Sequence, residues 1–422
     1  RERLRREFAV ARAAAWEPGA APAGAGPGFA AQVDLAAVFL ERAVRLASPG
    51  GAIALLLPVK LWQSLAGGGA RRFVAEEMRV LLIEDHTEAP AAFDAAVYPS
   101  LLVARRLPSP DAPVTVSSYH CGSAPLRWRA RWSSIPFDDS PGAPWLLLPP
   151  DARRAFDRVR GAGGPLAESV IGRPHLGVKC GCNDAFVVQL VDCDDDVAVI
   201  EGSDGRRATI ERVLLRPLAR GEHLARWNRP ERSEWIIWTH DAGGAPLERL
   251  PAHAARWFAR WRHALMSRTD ARHGARWWSL FRTESARTDR PRVIWCDLGR
   301  EPRASVIATG DGLVPINSCY AARCADDRDA FTLAALLNGP LARAWLNAIA
   351  EPARGGYRRY FGWTLSLLPL PRDWARARDV LGALGERAAR SAPGDRELLD
   401  AALDAYELEH DDVAPLIAWA LG

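Results

Sequence analysis

The sequence predicts an α/β fold held incompletely: the distal part of a Rossmann-like sheet, then a mixed α+β region and a small helical tail. Three observations point there. Apolar runs alternate with helical periodicity between residues 34 and 106, the pattern of strands packed under helices. Only three convincing strands precede Leu107, whereas doubly wound domains carry about five or more. Arg1 is not a Met, and residues 1–6 read as the middle of a surface helix. The rest of the sheet is expected upstream.

The first helix opens at Asp34, placed to cap it. Leu35, Val38, Phe39, Ala43 and Leu46 fall on one face, and Gly50-Gly51 ends it. Ala52–Pro58 is an unbroken apolar run, read as a strand buried on both faces. A helix over 70–78 leads to a strand over 80–84, and a third strand is expected over 97–105 in a mostly parallel sheet. Gly67-Gly68-Gly69 lies between strand and helix; with no Lys or Ser/Thr after it, a tight turn is expected and not a phosphate loop. Residues 15–29, rich in Gly, Ala and Pro, are expected to form a loop.

Composition excludes several classes. The chain has 422 residues, 48% hydrophobic and 25% charged, and no apolar run approaches the length that crosses a bilayer. Seven Cys, an odd and scattered set, argue for reduced thiols in a cytoplasmic protein and against a disulfide framework. Net charge is only +4, yet residues 205–303 hold 21 Arg, no Lys and 11 Asp plus Glu, with eight of the 17 Trp. A basic, aromatic-rich region beside a near-neutral α/β region fits a nucleic-acid partner. Lys occurs only at Lys60 and Lys179, so a GC-rich coding bias supplies part of that Arg excess.

Downstream, strand-like pieces are expected at Val114-Thr115-Val116, at Trp145-Leu146-Leu147-Leu148 and at Trp235-Ile236-Ile237-Trp238. A helix is expected over 151–160, another over 256–266, and one over 330–349. Gly177 to Val188 reads as a small-residue loop feeding a strand. Gly355-Gly356-Tyr357-Arg358-Arg359-Tyr360 is a basic aromatic loop, followed by Leu367-Leu368-Pro369-Leu370-Pro371 and then two or three short helices. Cys180-Gly181-Cys182 with Cys193 lacks a second Cys or His pair at ligand spacing, so no metal is predicted.

Taken together these pieces resemble the TaqI-like and type IIG N6-adenine-specific DNA methyltransferases, over roughly residues 34–371. The helix from Asp34, the strand ending in Pro58, and the loop and strand holding Phe93, Val97, Tyr98, Pro99 and Leu101-Leu102-Val103 match the second half of that family's catalytic sheet. Gly177 to Phe186, Leu214-Leu215-Arg216-Pro217 with Trp227, Pro291 to Trp295, Ile316-Asn317-Ser318, Leu336 to Gly339 and the segment from Gly355 match its specificity region. The resemblance divides the chain into 1–108, the end of the methyltransferase domain; 109–372, a target-recognition domain; and 373–422, a helical extension.

The resemblance implies methyl transfer from S-adenosylmethionine to an adenine flipped out of double-stranded DNA. The exocyclic amine is a poor nucleophile, so the family orients and polarises it. Its Asn/Asp-Pro-Pro-aromatic tetrapeptide and the Gly-rich cofactor turn are both missing here: Pro149-Pro150 is flanked by Leu148 and Asp151. The chain is therefore expected to be inactive alone, with a catalytic half supplied upstream in cis, or in trans. Phe93 is the expected stacking wall for the extruded base. Lys179, Asn183 and Asp184 are candidates for base reading, and Arg216, Arg220, Arg226 and Arg229 for phosphate contacts. Tyr357, Arg358 and Arg359 are further candidates for DNA contact. Competing expectations are a non-catalytic DNA-binding specificity subunit, half of a split enzyme, and, least favoured, methylation of RNA.

Overall fold

The structure is a computed structural model that describes residues 2–12, 16, 34–89, 98–108, 111–119, 124–231, 233–353, 355–388 and 390–422. Phe93, Val97 and most of the loop expected over 15–29 lie outside the described residues.

The amino-terminal sheet has five strands: β1 (Ala52–Pro58), β2 (Arg79–Asp85), β3 (Pro99–Arg105), β4 (Pro113–Ser118) and β5 (Leu126–Arg131), in the order β1-β3-β2-β4-β5. β3 runs antiparallel to both neighbours, with Leu55 and Ile83 each opposite Leu102. Only β2 and β4 pair in parallel; β4 and β5 are antiparallel. The expected mostly parallel sheet is thus corrected. A helix, Gly68–Glu77, separates β1 from β2 and sets them in the same direction, but β3 then returns between them. Helical crossovers are required only for parallel neighbours.

Two burial expectations are also corrected. In helix Leu35–Leu46 the buried residues are Ala37, Leu40, Glu41 and Val44, whereas Leu35, Phe39 and Leu46 are 70%, 58% and 73% exposed. The helix has two apolar faces, and the one with smaller residues meets the sheet. Glu41 fixes that choice: its carboxylate accepts from the N–H groups of Ala9 and Val10 and pairs with Arg45. β1 is covered on one side only. Ile53, Leu55 and Leu57 join the core containing Leu40, Val44 and Trp62, while Ala52, Ala54 and Leu56 are exposed. Being last in the sheet order, β1 has no strand on its outer side among the described residues.

The remainder is built around two larger cores and a small one about Ile294, Cys296 and Cys319. A six-stranded sheet runs Arg207–Glu211, Val197–Glu201, Val187–Cys193, Trp235–Ile237, Leu215–Ala219, Val314–Pro315. Phe186, Trp257 and Phe258 pack in its core cluster. A four-stranded sheet (Ser305–Ile307, Arg292–Cys296, Cys319–Arg323, His175–Leu176) meets a helical core from Pro150–Gly161, Asp327–Asn338, Pro340–Ile349 and the tail helices Trp374–Arg387, Asp395–Tyr406 and His410–Leu421. The helix expected over 330–349 is two helices, broken at Gly339, where Pro340 has no N–H to continue the ladder. The one over 256–266 breaks likewise at Arg260-Trp261. Trp145 to Leu148 is not a strand; Trp145 makes one isolated bridge to Pro136, and its ring stacks on Trp62 at 4.4 Å. No helix among the described residues is long and apolar enough to cross a membrane.

Candidate nucleic-acid interface

The carboxyl ends of β1 and β2 face a small three-stranded sheet made of Leu298–Gly299, Tyr357–Arg359 and Glu351–Ala353. Ligands of open α/β sheets bind outside the carboxyl ends of strands, and two cavities lie there.

The first, of about 440 Å³, follows β1 and is lined by Asp34, Lys60, Glu351, Tyr320, Phe361 and Trp363 among others. Asp34 caps its helix by accepting from Ala36 N–H, and Lys60 Nζ stands 2.6 Å from the other carboxylate oxygen. Burial opposes ionisation of Asp34, but the Ala36 N–H and Lys60 outweigh it and hold the carboxyl below its ordinary range. Glu351 goes the other way: burial pushes its carboxyl up, against the pull of Arg359, Arg71 and Lys60. The cavity therefore joins three aromatic rings to a buried carboxyl whose ionisation is opposed by burial. Arg71 shapes its floor. Wholly buried, it donates to the carbonyls of Leu61, Ser64 and Gly142, and burial pulls its pKa down to about 9. The three glycines expected as a turn wind directly into this helix. A Cβ on Gly67 would lie 2.0 Å from the Leu61 carbonyl oxygen, so the close approach demands glycine there.

The second cavity, of about 560 Å³, follows β2 and is lined by Glu88, Tyr119, Arg300, Gly355, Gly356 and Arg358 among others. The segment expected as a basic aromatic loop is a tight turn feeding the strand Tyr357–Arg359. Tyr357 is 42% exposed, with the Arg300 guanidinium 5.5 Å from its ring centre. Arg359 lies 3.9 Å from Asp297 and over the Phe361 ring. These three residues are brought to the cleft.

The other candidates sit elsewhere. Lys179 is exposed and forms a two-bond bridge with Phe281. Asn183 and Asp184 are exposed on the short helix Asn183–Phe186, where a loop was expected, and Asp184 accepts from the Ser203 hydroxyl. Arg216 is committed to the carbonyls of Gly312 and Ala286 and lies 4.2 Å from the Trp238 ring centre; burial lowers its pKa to about 10. Arg220 pairs with Glu234, Arg226 with Glu301 and Asp395, and Arg229 with Asp311 through two bonds of 2.7 and 2.8 Å. All four therefore tie segments of the fold together. Much of the Arg- and Trp-rich window is accounted for by stacking: Arg260 on Trp257 and Trp261, Arg262 on Trp277, Arg276 on Trp278. Phe93 lies outside the described residues.

Sequence reasoning missed Arg71, Glu351, Arg300 and Arg282. Arg282 is exposed and has a left-handed backbone, φ 57°. Its charge acts on both His175 and Tyr320, and Tyr320 lines the first cavity. No group of three His, Cys, Asp or Glu that could hold a metal occurs among the described residues.

Comparison with known proteins supplies the context for this geometry. No protein-family model matches the chain. Over 386 residues it is 25% identical to the Type II methyltransferase M.PaeR7I of Pseudomonas aeruginosa, covering 86% of this chain and 62% of that protein. The chain is type II methyltransferase-like. It agrees in this with the resemblance read from its residues, and it spans less than two thirds of that relative's length. Among solved structures, the type IIL restriction-modification enzyme MmeI in complex with DNA superposes on 92% of this methyltransferase-like chain, at TM-score 0.58 and 10% identity. This chain covers 52% of MmeI. At that identity the likeness is one of fold.

Proposed function

We propose that the chain is the carboxyl-terminal part of a site-specific DNA adenine N6-methyltransferase of a restriction-modification system. It contributes the distal catalytic sheet and the region that reads DNA. The observation that carries this reading is the likeness to a type II methyltransferase across 86% of the chain, joined to a sheet whose β1 edge has no neighbouring strand among the described residues and whose surroundings expose Leu35, Phe39, Leu46 and Leu56. An exposed strand edge invites pairing with another strand. A catalytic half, in cis or in trans, is the occupant the reading requires. That same edge speaks against a self-sufficient DNA-binding subunit.

The residues described do not by themselves fit S-adenosylmethionine. The carboxylate lining the cavity beyond β1, Asp34, is engaged by Ala36 and Lys60, and the Gly-rich cofactor turn is not in the sequence. What this chain offers is the wall of a base pocket and a positively charged rim. Tyr320, Phe361 and Trp363 offer stacking surfaces of the kind that stabilise an unstacked base by about 1–3 kcal/mol each. Phe93 is assigned the same task from the resemblance. Tyr357, Arg358 and Arg359 contact DNA at the rim, with Lys179, Asn183 and Asp184 reading base edges from the six-stranded sheet.

The test is methyl transfer from labelled S-adenosylmethionine to duplex DNA, by this chain alone and by the chain joined to the upstream half of its natural protein, with the product nucleoside identified by mass spectrometry. Labelled N6-methyladenine from the joined protein only is expected. Methylated cytosine would overturn the adenine assignment, and no transfer by the joined protein would overturn the methyltransferase reading.

A further inference from the structure

Glu88 lies just beyond β2, and its carboxylate is held by the opposite wall of the cleft. One oxygen accepts from Gly355 N–H at 3.3 Å and the other from Gly356 N–H at 3.1 Å. Both glycines are left-handed, φ 77° and 74°. A Cβ on Gly356 would meet nothing within 4 Å, so it is the backbone conformation that demands glycine there, not lack of room. The two adjacent glycine N–H groups meet one carboxylate, and concavities formed by successive N–H groups in a turn bind anions.

The surroundings offer more positive charge than one carboxylate uses. Arg300 and Arg358 line the same cavity, and neither has a carboxylate partner among the ion pairs of the described residues. The other acid there, Asp85, is already satisfied by the N–H and hydroxyl of Thr87. A latch between the two walls would need only Glu88 and the two N–H groups. Two further guanidinium groups beside it fit a ligand with more anionic oxygens than a carboxylate.

We propose that the Gly355–Gly356 turn, with Arg300 and Arg358, is a binding site for a phosphate of the DNA backbone, and that the Glu88 carboxylate occupies it until DNA displaces it. The proposal rests on the DNA-binding reading above. Backbone N–H groups and arginines are general phosphate ligands, and a carboxylate presents the same pair of acceptor oxygens with less charge.

The experiment is fluorescence anisotropy of a labelled mixed-sequence DNA duplex titrated with the wild-type chain, Glu88→Gln and Arg358→Gln, at a series of NaCl concentrations. Melting curves check that each variant is folded. Glu88→Gln removes the competing charge and is expected to bind roughly two- to fivefold more tightly. Arg358→Gln is expected to bind more weakly and to reduce the slope of log K against log salt by about 0.9, one phosphate contact. A folded Glu88→Gln that binds no more tightly than wild type overturns the proposal and leaves the DNA reading standing. So does an unchanged salt slope in Arg358→Gln. Absence of DNA binding by the wild-type chain overturns the DNA reading itself, and this site with it.

Discussion

Arg71 grips the carbonyl oxygen of Gly142 from two nitrogens at once, Nε at 3.0 Å and Nη2 at 2.9 Å. Its third nitrogen donates to Leu61 and Ser64 at 2.9 and 2.7 Å. One wholly buried side chain thus fixes the loop after β1, which lines the first cavity, to the segment before helix Pro150–Gly161.

Arg71→Met should leave the carbonyl oxygens of Leu61 and Gly142 without donors, Ser64 keeping the Gly67 N–H at 3.2 Å, while removing a buried charge. Each unsatisfied group costs about 1–3 kcal/mol, and the relief of desolvation offsets part of that. A net loss of about 3 kcal/mol in urea unfolding is expected. A loss no larger than that of an exposed substitution would mean that the loop is held by its apolar residues, Leu61 and Trp62, alone.

His240 makes stability pH-dependent. Its Nε2 accepts from Leu280 N–H at 3.0 Å, so the proton sits on Nδ1, which faces the Gly244 carbonyl at 3.2 Å. Burial lowers its pKa to about 4, against the pull of Asp241. The folded protein holds the ring neutral, whereas the unfolded chain takes up a proton near pH 6.5 or so. The contribution is therefore complete above about 6.5 and is lost as pH falls toward 4, on the order of 3 kcal/mol. His240→Gln should flatten the melting-temperature profile across that window. An unchanged slope would assign the pH dependence to the carboxylates.

Local signals in this sequence were legible where one residue type decides the outcome. Asp34 caps its helix as its position implied, whereas the helix stops at Leu46, with Ala47 extended, short of the Gly50-Gly51 expected to end it. What could not be read was direction and partner. The strand run at β3 looks the same whether it pairs parallel or antiparallel, since only the connection lengths differ. Leu35 and Phe39 share an apolar face, but periodicity identifies such a face without saying what covers it. Arginines were the hardest. Arg226 binds Asp395, 169 residues away, and no local pattern distinguishes such a tie from an arginine that faces DNA.

The exposed apolar residues of helix Leu35–Leu46 and of β1 give a third expectation. Leu35, Phe39, Leu46 and Leu56 are all at least half exposed, around a strand edge that lacks a neighbour among the described residues. Phe39→Glu with Leu56→Lys should make the isolated chain less prone to associate, since charges on an edge oppose strand addition. The same pair of changes in the joined protein should destabilise it or abolish methyl transfer. If the double variant is as active and as stable as its parent, the catalytic half does not pack on this face.

Arg282 is where stability and function are expected to part. An arginine gains nothing from a left-handed backbone, which costs a residue with a Cβ about 1 kcal/mol or more. It is exposed and ends the bridge region opposite Lys179, next to Phe281, whose N–H and C=O pair with Lys179. Its charge reaches Tyr320 on one side and His175 on the other, between the six-stranded sheet and the aromatic cavity. An outlier held so by its surroundings is a reason to test for function. Arg282→Gly removes the strain and should raise stability by about 0.5–1 kcal/mol in denaturant titrations, while weakening DNA binding and lowering its salt slope by about 0.9. Arg282→Ala keeps the strain and loses the charge, so it should weaken binding without the gain in stability. Stability that rises with unchanged DNA affinity would make the strain a cost of the turn alone and remove Arg282 from the interface.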